Sequence, residues 1–153
     1  MRAQDIVETV PTVAADEPVA DAIRLMARNR LPGLIVVDAS RVPRTVLPGT
    51  QVLRLTVPHA HQEDPALVRT IDEAHSDLFW SELGDRTIGE CLPRRPDPPA
   101  VVPLDATLME AAVLMARVRS PMLAVVDAGG RLVGAITLER LLDVLAGTDP
   151  AGG

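Results

Sequence analysis

The apolar positions of this chain describe the same pattern twice. Val19, Ala22, Ile23 and Met26 recur at helical spacing, as do Leu108, Ala111, Ala112 and Met115. Each set is followed by an unbroken apolar run of the length of a buried strand, Leu34-Ile35-Val36-Val37 in one case and Met122-Leu123-Ala124-Val125-Val126 in the other. The residues match as well as the pattern. Leu25-Met26-Ala27-Arg28-Asn29-Arg30-Leu31-Pro32 corresponds to Leu114-Met115-Ala116-Arg117-Val118-Arg119-Ser120-Pro121, so that Pro32 pairs with Pro121 and Asp38 with Asp127 at a constant offset of 89 residues. The register holds without a gap from Asp16 and Asp105 to Leu53 and Leu142. An offset this long exceeds the period of solenoid repeats and predicts two copies of one small domain.

Each copy predicts the same elements. An extended piece comes first, Pro11 to Ala14 and Ala100 to Pro103. Asp16 and Asp105 are expected to cap the helix that follows, with Pro18 early in its first turn, where a missing N–H is harmless. Pro32 and Pro121 stop the helices, and the apolar strands begin. Asp127-Ala128-Gly129-Gly130 reads as a turn, and Arg131 to Ile136 as the returning strand. Thr137 is placed to cap a closing helix, Leu138 to Ala146, which Gly147 ends. In the first copy the returning strand is expected at Val42 to Leu47, with its helix starting near Gly49-Thr50 and finishing before Pro58.

The order β-α-β-β-α, repeated, predicts an α/β fold (α+β-like) with helices on one side of each sheet. About 60 residues bury too little core to stand alone, so the two copies are expected to pack together. Between them, Asp64-Pro65 opens an amphipathic stretch with Leu67, Ile71, Ala74 and Leu78 on one face, closed by Gly84. This predicts a linker helix, docked on the module or lying as a lid over a cleft. The expected boundaries are 1–57 for the first domain, 58–85 for the linker, 86–147 for the second domain and 148–153 for a disordered tail.

Composition narrows the functions. The net charge is −6 and the only aromatic residues are Phe79 and Trp80. The chain therefore offers neither clustered cations for a phosphate backbone nor a stacking platform for bases, which argues against nucleic-acid binding. Cys91 is the single cysteine, so an internal disulfide is impossible, and its neighbours suit a core-facing turn. No apolar run reaches the ~18 residues of a bilayer span, and Met1-Arg2-Ala3-Gln4-Asp5 lacks the order of a signal peptide. A cytoplasmic protein without membrane insertion is expected. His59 and His61 share a strand face and Glu63, Asp64 and His75 follow, but nothing fixes their convergence on an ion, and no metal site is expected. No nucleophile elbow, phosphate-loop or metalloprotease pattern occurs, so no enzyme is expected. Arg28, Arg30, Arg117 and Arg119 recur in both copies. They either flank a cleft and attract anions or complement helix dipoles.

Three pieces of the repeat resemble the cystathionine-β-synthase-type (CBS) domain family. They are the helix ending in Met26…Pro32 and Met115…Pro121, the strand motif Val36-Val37-Asp38 and Val125-Val126-Asp127, and the run Gly130 to Thr137 leading into a helix. Gln4-Asp5-Ile6-Val7 and Ile88-Gly89-Glu90-Cys91-Leu92 resemble the family's opening turn. The resemblance covers both ends of the chain and leaves roughly residues 55 to 85 outside it; the second copy matches more closely than the first.

The resemblance implies a pseudo-symmetric pair of domains, assembled as a homodimer, that regulates a partner protein through a small ligand held between the domains. The implied ligands are AMP, ADP, ATP or S-adenosylmethionine. The implied ligand-binding residues are Val13, Leu34, Thr50, Gln51, Val102, Met122, Thr137 and Arg140. The family's site often reads Gly-x-x-Thr-x-x-Asp, with Thr near phosphate and Asp on the ribose hydroxyls. Here the second copy reads Gly134-Ala135-Ile136-Thr137-Leu138-Glu139-Arg140, and the first has Pro48 and Gln51 at the Thr and Asp places. A guanidinium only donates, so Arg140 cannot replace the carboxylate but can pair with an anionic group. Thr137 as a simple cap and Arg140 as a solvated side chain is the plainer alternative. The corresponding alternative for the whole chain is a ligand-free scaffold or structural subunit of a transporter or enzyme.

Overall fold

The computed structural model describes residues 1–56, 85–92 and 100–147. The expected linker helix, His59, His61, Glu63, Asp64, His75, Phe79, Trp80 and the tail 148–153 lie outside the described residues. The first half contains α1 (Ala3–Ile6), α2 (Val19–Arg28), β1 (Gly33–Val37), β2 (Pro43–Pro48) and α3 (Gly49–Thr56). The second contains α4 (Ile88–Cys91), β3 (Val101–Pro103), α5 (Leu108–Val118), β4 (Met122–Val126), β5 (Leu132–Thr137) and α6 (Leu138–Leu145). The offset of 89 carries β1 onto β4, β2 onto β5 and α3 onto α6 at both ends of each element.

The two hairpins are closed by the same device. The Asp38 carboxylate accepts from the Ser40 and Val42 amides at 2.8 and 2.9 Å, and the Asp127 carboxylate accepts from the Gly129 and Arg131 amides at 2.9 and 3.0 Å. Each turn then needs a left-handed residue, which is Gly130 (φ 79°) in the second half but Arg41 (φ 66°) in the first. β1 pairs antiparallel with β2, and β4 with β5. β3 joins β4 in parallel, whereas the equivalent piece of the first half makes only a parallel bridge from Val13 to Val36. The first-half returning strand runs Pro43–Pro48, one residue later than expected at each end.

Two expectations about helix ends are corrected. Asp16 and Asp105 lie ahead of the cap positions, which are Pro18 and Thr107. Thr107 forms a capping box: its hydroxyl accepts from the Glu110 amide at 3.1 Å while the Glu110 carboxylate accepts from the Thr107 amide at 2.8 Å. Pro18 has no such side chain, so α2 starts without a side-chain cap. The helices also end before Pro32 and Pro121 are reached. Arg30 and Arg119 both turn left-handed at φ 53°, and the next residues, Leu31 and Ser120, donate back to the Met26 and Met115 carbonyls at 3.0 and 3.2 Å. That six-to-one bond is a Schellman closure built without glycine.

The strands have an apolar residue on both faces because each face has its own partner. In β1, Leu34 and Val36 pack with Val19, Ala22 and Val52 from the helices of the same half. Ile35 and Val37 join the cluster of Met122, Leu123, Val125 and Ile136 in the other half. The period-two alternation of a strand thus divides its side chains between helix packing and domain pairing.

The short opening helices are exchanged between the halves. The Ala3 and Gln4 amides of α1 donate to the Ala106 and Leu104 carbonyls of the second half at 2.8 and 2.9 Å. The Ile88 and Gly89 amides of α4 donate to the Glu17 and Ala15 carbonyls of the first half at 2.9 and 2.7 Å. Their side chains follow: Ile6 is buried in the second half's core and Ile88 in the first half's. After α1, Glu8 lies along β5, giving to and taking from Ala135 at 2.9 and 2.8 Å, before the chain crosses to Val13.

Candidate functional site

A cleft forms where α6 begins. The Leu138 amide donates to the Pro121 carbonyl at 2.8 Å, which ties the start of the helix to the end of the loop before β4. Thr137, extended at φ −88°, ψ 158°, accepts from the Arg140 amide at 3.1 Å and so caps α6 as the sequence predicts. This places the Arg140 side chain at the cleft wall. The cleft has a volume of about 450 Å³. The first half supplies Glu8 to Pro11 and Asn29 to Pro32, and the second supplies Thr137, Glu139, Arg140 and Asp143.

The approach of Glu8 explains the glycine that precedes Thr137. Any Cβ at Gly134 would run into the Glu8 carbonyl and the Val7 side chain, so only glycine allows the segment to lie against β5. The Glu8 carboxylate then comes within 3.7 Å of Arg140 Nε as an ion pair, with side-chain exposures of 55% and 23%. Glu139 and Asp143 line the same cleft as carboxylates, and Arg30 lines it as a second guanidinium.

Of the residues expected to bind ligand, the cleft brings together Thr137 and Arg140. Val13, Leu34, Val102 and Met122 lie instead in the two hydrophobic cores. Thr50 and Gln51 occupy the first turn of α3, where the repeat places Glu139 and Arg140 in α6. There β2 ends at Pro48 in the place of Thr137, so the first half has no capping hydroxyl at this point, although the Gly49 amide keeps the equivalent bond to Pro32 at 2.8 Å. Of the repeated arginines, Arg30 lines this cleft, whereas Arg119 borders a groove between α5 and α6.

Sequence reasoning passed over Glu8, Glu139 and Asp143. Asp143 had a local signal, since it stands one helical turn after Arg140. Glu8 had none, because it reaches Arg140 only through the exchange of α1. Among the described residues, no three His, Cys, Asp or Glu side chains are placed to hold a metal ion. No helix among them is long and apolar enough to cross a membrane.

The family model described as CBS domain matches residues 3–44 and 88–147. Among solved structures, a CBS domain-containing protein of unknown function from Kribbella flavida is 42% identical, with 95% of this chain and 99% of that chain covered and a TM-score of 0.79. CBSX2 from Arabidopsis thaliana, a CBS-pair protein, is 22% identical over 95% of this chain and 94% of its own, with a TM-score of 0.71. CBSX2 in complex with AMP is 23% identical over 95% and 96%, with a TM-score of 0.68. The curated proteins contain no match.

Proposed function

The chain belongs to the CBS-domain family, and from that membership we propose that it is a non-catalytic regulatory module. It senses an adenosine-containing or other anionic small molecule in the cleft between its two domains and passes the state of that cleft to a partner protein. The domains are residues 1–57 and 86–147, joined by the linker 58–85, and the setting is the cytoplasm.

One observation carries this reading. The wall of the cleft is built by both halves, with Thr137 and Arg140 on one side and Glu8 to Pro11 and Asn29 to Pro32 on the other. A molecule seated there touches both halves and favours one arrangement of them, which is what control by a ligand requires. AMP in the CBSX2 complex supports the choice of ligand class. Arg140 adds a donor that can pair with an anionic group.

Titration calorimetry against adenosine, AMP, ADP, ATP and S-adenosylmethionine tests the proposal. Binding by at least one, weakened about tenfold or more in Arg140→Ala by loss of a charge-assisted contact, is expected. No heat across the whole set overturns the adenosine-containing ligand.

A ligand-free scaffold is the second reading. It is favoured by Pro48, which removes the hydroxyl at the equivalent place in the first half, and by the absence of an Asp at 140. Under either reading we propose a homodimer. The face of α5 and α6 exposes Leu138, Leu142 and Leu145 along an apolar groove of about 430 Å³, a surface that a second copy would cover.

A further inference from the structure

We infer that Glu8 determines which adenosyl ligands the cleft accepts, favouring those with one phosphate or a zwitterionic side chain and disfavouring di- and triphosphates. This rests on the cleft being a ligand site, and concerns the charge that its ligand carries.

The backbone of Glu8 is fixed in place. Its amide and carbonyl are both bonded to Ala135, at 2.9 and 2.8 Å, and its backbone fills the space over Gly134. From that backbone the half-exposed carboxylate reaches to 3.7 Å from Arg140 Nε, on the guanidinium nearest the cap of α6. A phosphate arriving at Arg140 must compete with a carboxylate already there.

The rest of the wall does not offset this. Glu8, Glu139 and Asp143 bring three negative charges, against Arg30 and Arg140. One anionic group can take the place of Glu8 on Arg140 and leave the pairing balanced. Each further phosphate then approaches carboxylates that are exposed to solvent, so the repulsion is real but screened. The cationic sulfonium and ammonium of S-adenosylmethionine meet the opposite situation and gain from the same side chains.

The test compares adenosine, AMP, ADP, ATP and S-adenosylmethionine by calorimetry on the full chain, its Glu8→Gln variant and its Asp143→Asn variant. In the wild type, affinity is expected to fall about threefold from AMP to ADP and again to ATP, with S-adenosylmethionine at least as tight as adenosine. Glu8→Gln keeps the shape and removes the charge, so it should raise ADP and ATP affinity about threefold and leave adenosine unchanged. Asp143→Asn should move ADP and ATP in the same direction. Equal affinities along the phosphate series in the wild type, or a Glu8→Gln variant that melts normally and shows the wild-type order, overturn the role of Glu8 while leaving the ligand site standing. Silence of every compound on all three proteins removes the site itself and the role of Glu8 with it.

Discussion

At Gly134 the space for a side chain is occupied by another part of the chain, the Glu8 backbone. Gly134→Ala is therefore expected to destabilise the protein by about 1–3 kcal/mol, the usual cost of forcing extra volume into a packed site. Thermal unfolding followed by circular dichroism checks this, and an unchanged midpoint would show that Glu8 can move aside. Thr107 closes its capping box on Glu110 at the start of α5. Thr107→Ala should cost about 1 kcal/mol in the same measurement. The hydroxyl of Thr137 was legible as a cap because a Thr directly preceded an apolar helical pattern. The Thr107-x-x-Glu110 box was equally present in the sequence, but Asp105 two residues earlier offered a competing cap. The partnership of Glu8 with Arg140 was not legible, since it depends on where the backbone of a distant segment runs rather than on any local pattern.

At the scale of elements, alternation decides the architecture. β1 gives Leu34 and Val36 to its own helices and Ile35 and Val37 to the other half. An unbroken apolar run announced a strand buried on both faces but could not say which face met which partner. The opening helices carry this division further, because Ile88 of α4 completes the core of the first half. Ile88→Ala should cost about 2–5 kcal/mol. Hydrogen exchange is expected to show the loss of protection in β1 and β2, far away in sequence, as well as in α4; protection lost only around α4 would contradict the exchange. The α5–α6 face makes a separate prediction. Leu142 is 55% exposed in the single chain. Leu142→Glu should shift light-scattering mass from dimer to monomer with little change in the melt of the monomer. A wild-type chain that is monomeric at all concentrations would dispose of the proposed dimer.

For the molecule as a whole, the repeat at 89 residues marks two alike halves in the sequence, and β1, β2 and α3 fall on β4, β5 and α6 at that spacing. The exchange of α1 and α4 was hidden, because the backbone bonds from Ala3, Gln4, Ile88 and Gly89 carry no sequence signal and a buried Ile6 or Ile88 does not say which half's core it enters. It makes the halves mutually dependent. Residues 1–57 expressed alone lack Ile88, and residues 86–147 alone lack Ala3 and Ile6. Each fragment is expected to give a largely unfolded circular dichroism spectrum, and mixing the two should restore native signal. A fragment folding cooperatively by itself would show that the exchanged helices contribute little. The clefts follow the same logic: Thr137 and Arg140 could be found from one copy, but the opposite wall could be found only with both halves assembled.

The stretch from Glu8 to Val13 is fastened at each end to a different domain, through Ala135 and through Val36. Five peptide steps reach no farther than about 18 Å even when drawn straight. This strap caps the travel of one half against the other at its drawn-out length, so a wide clamshell swing requires a fastening to be undone. Under the proposed regulatory role, what a partner could read is a movement within the reach of that strap.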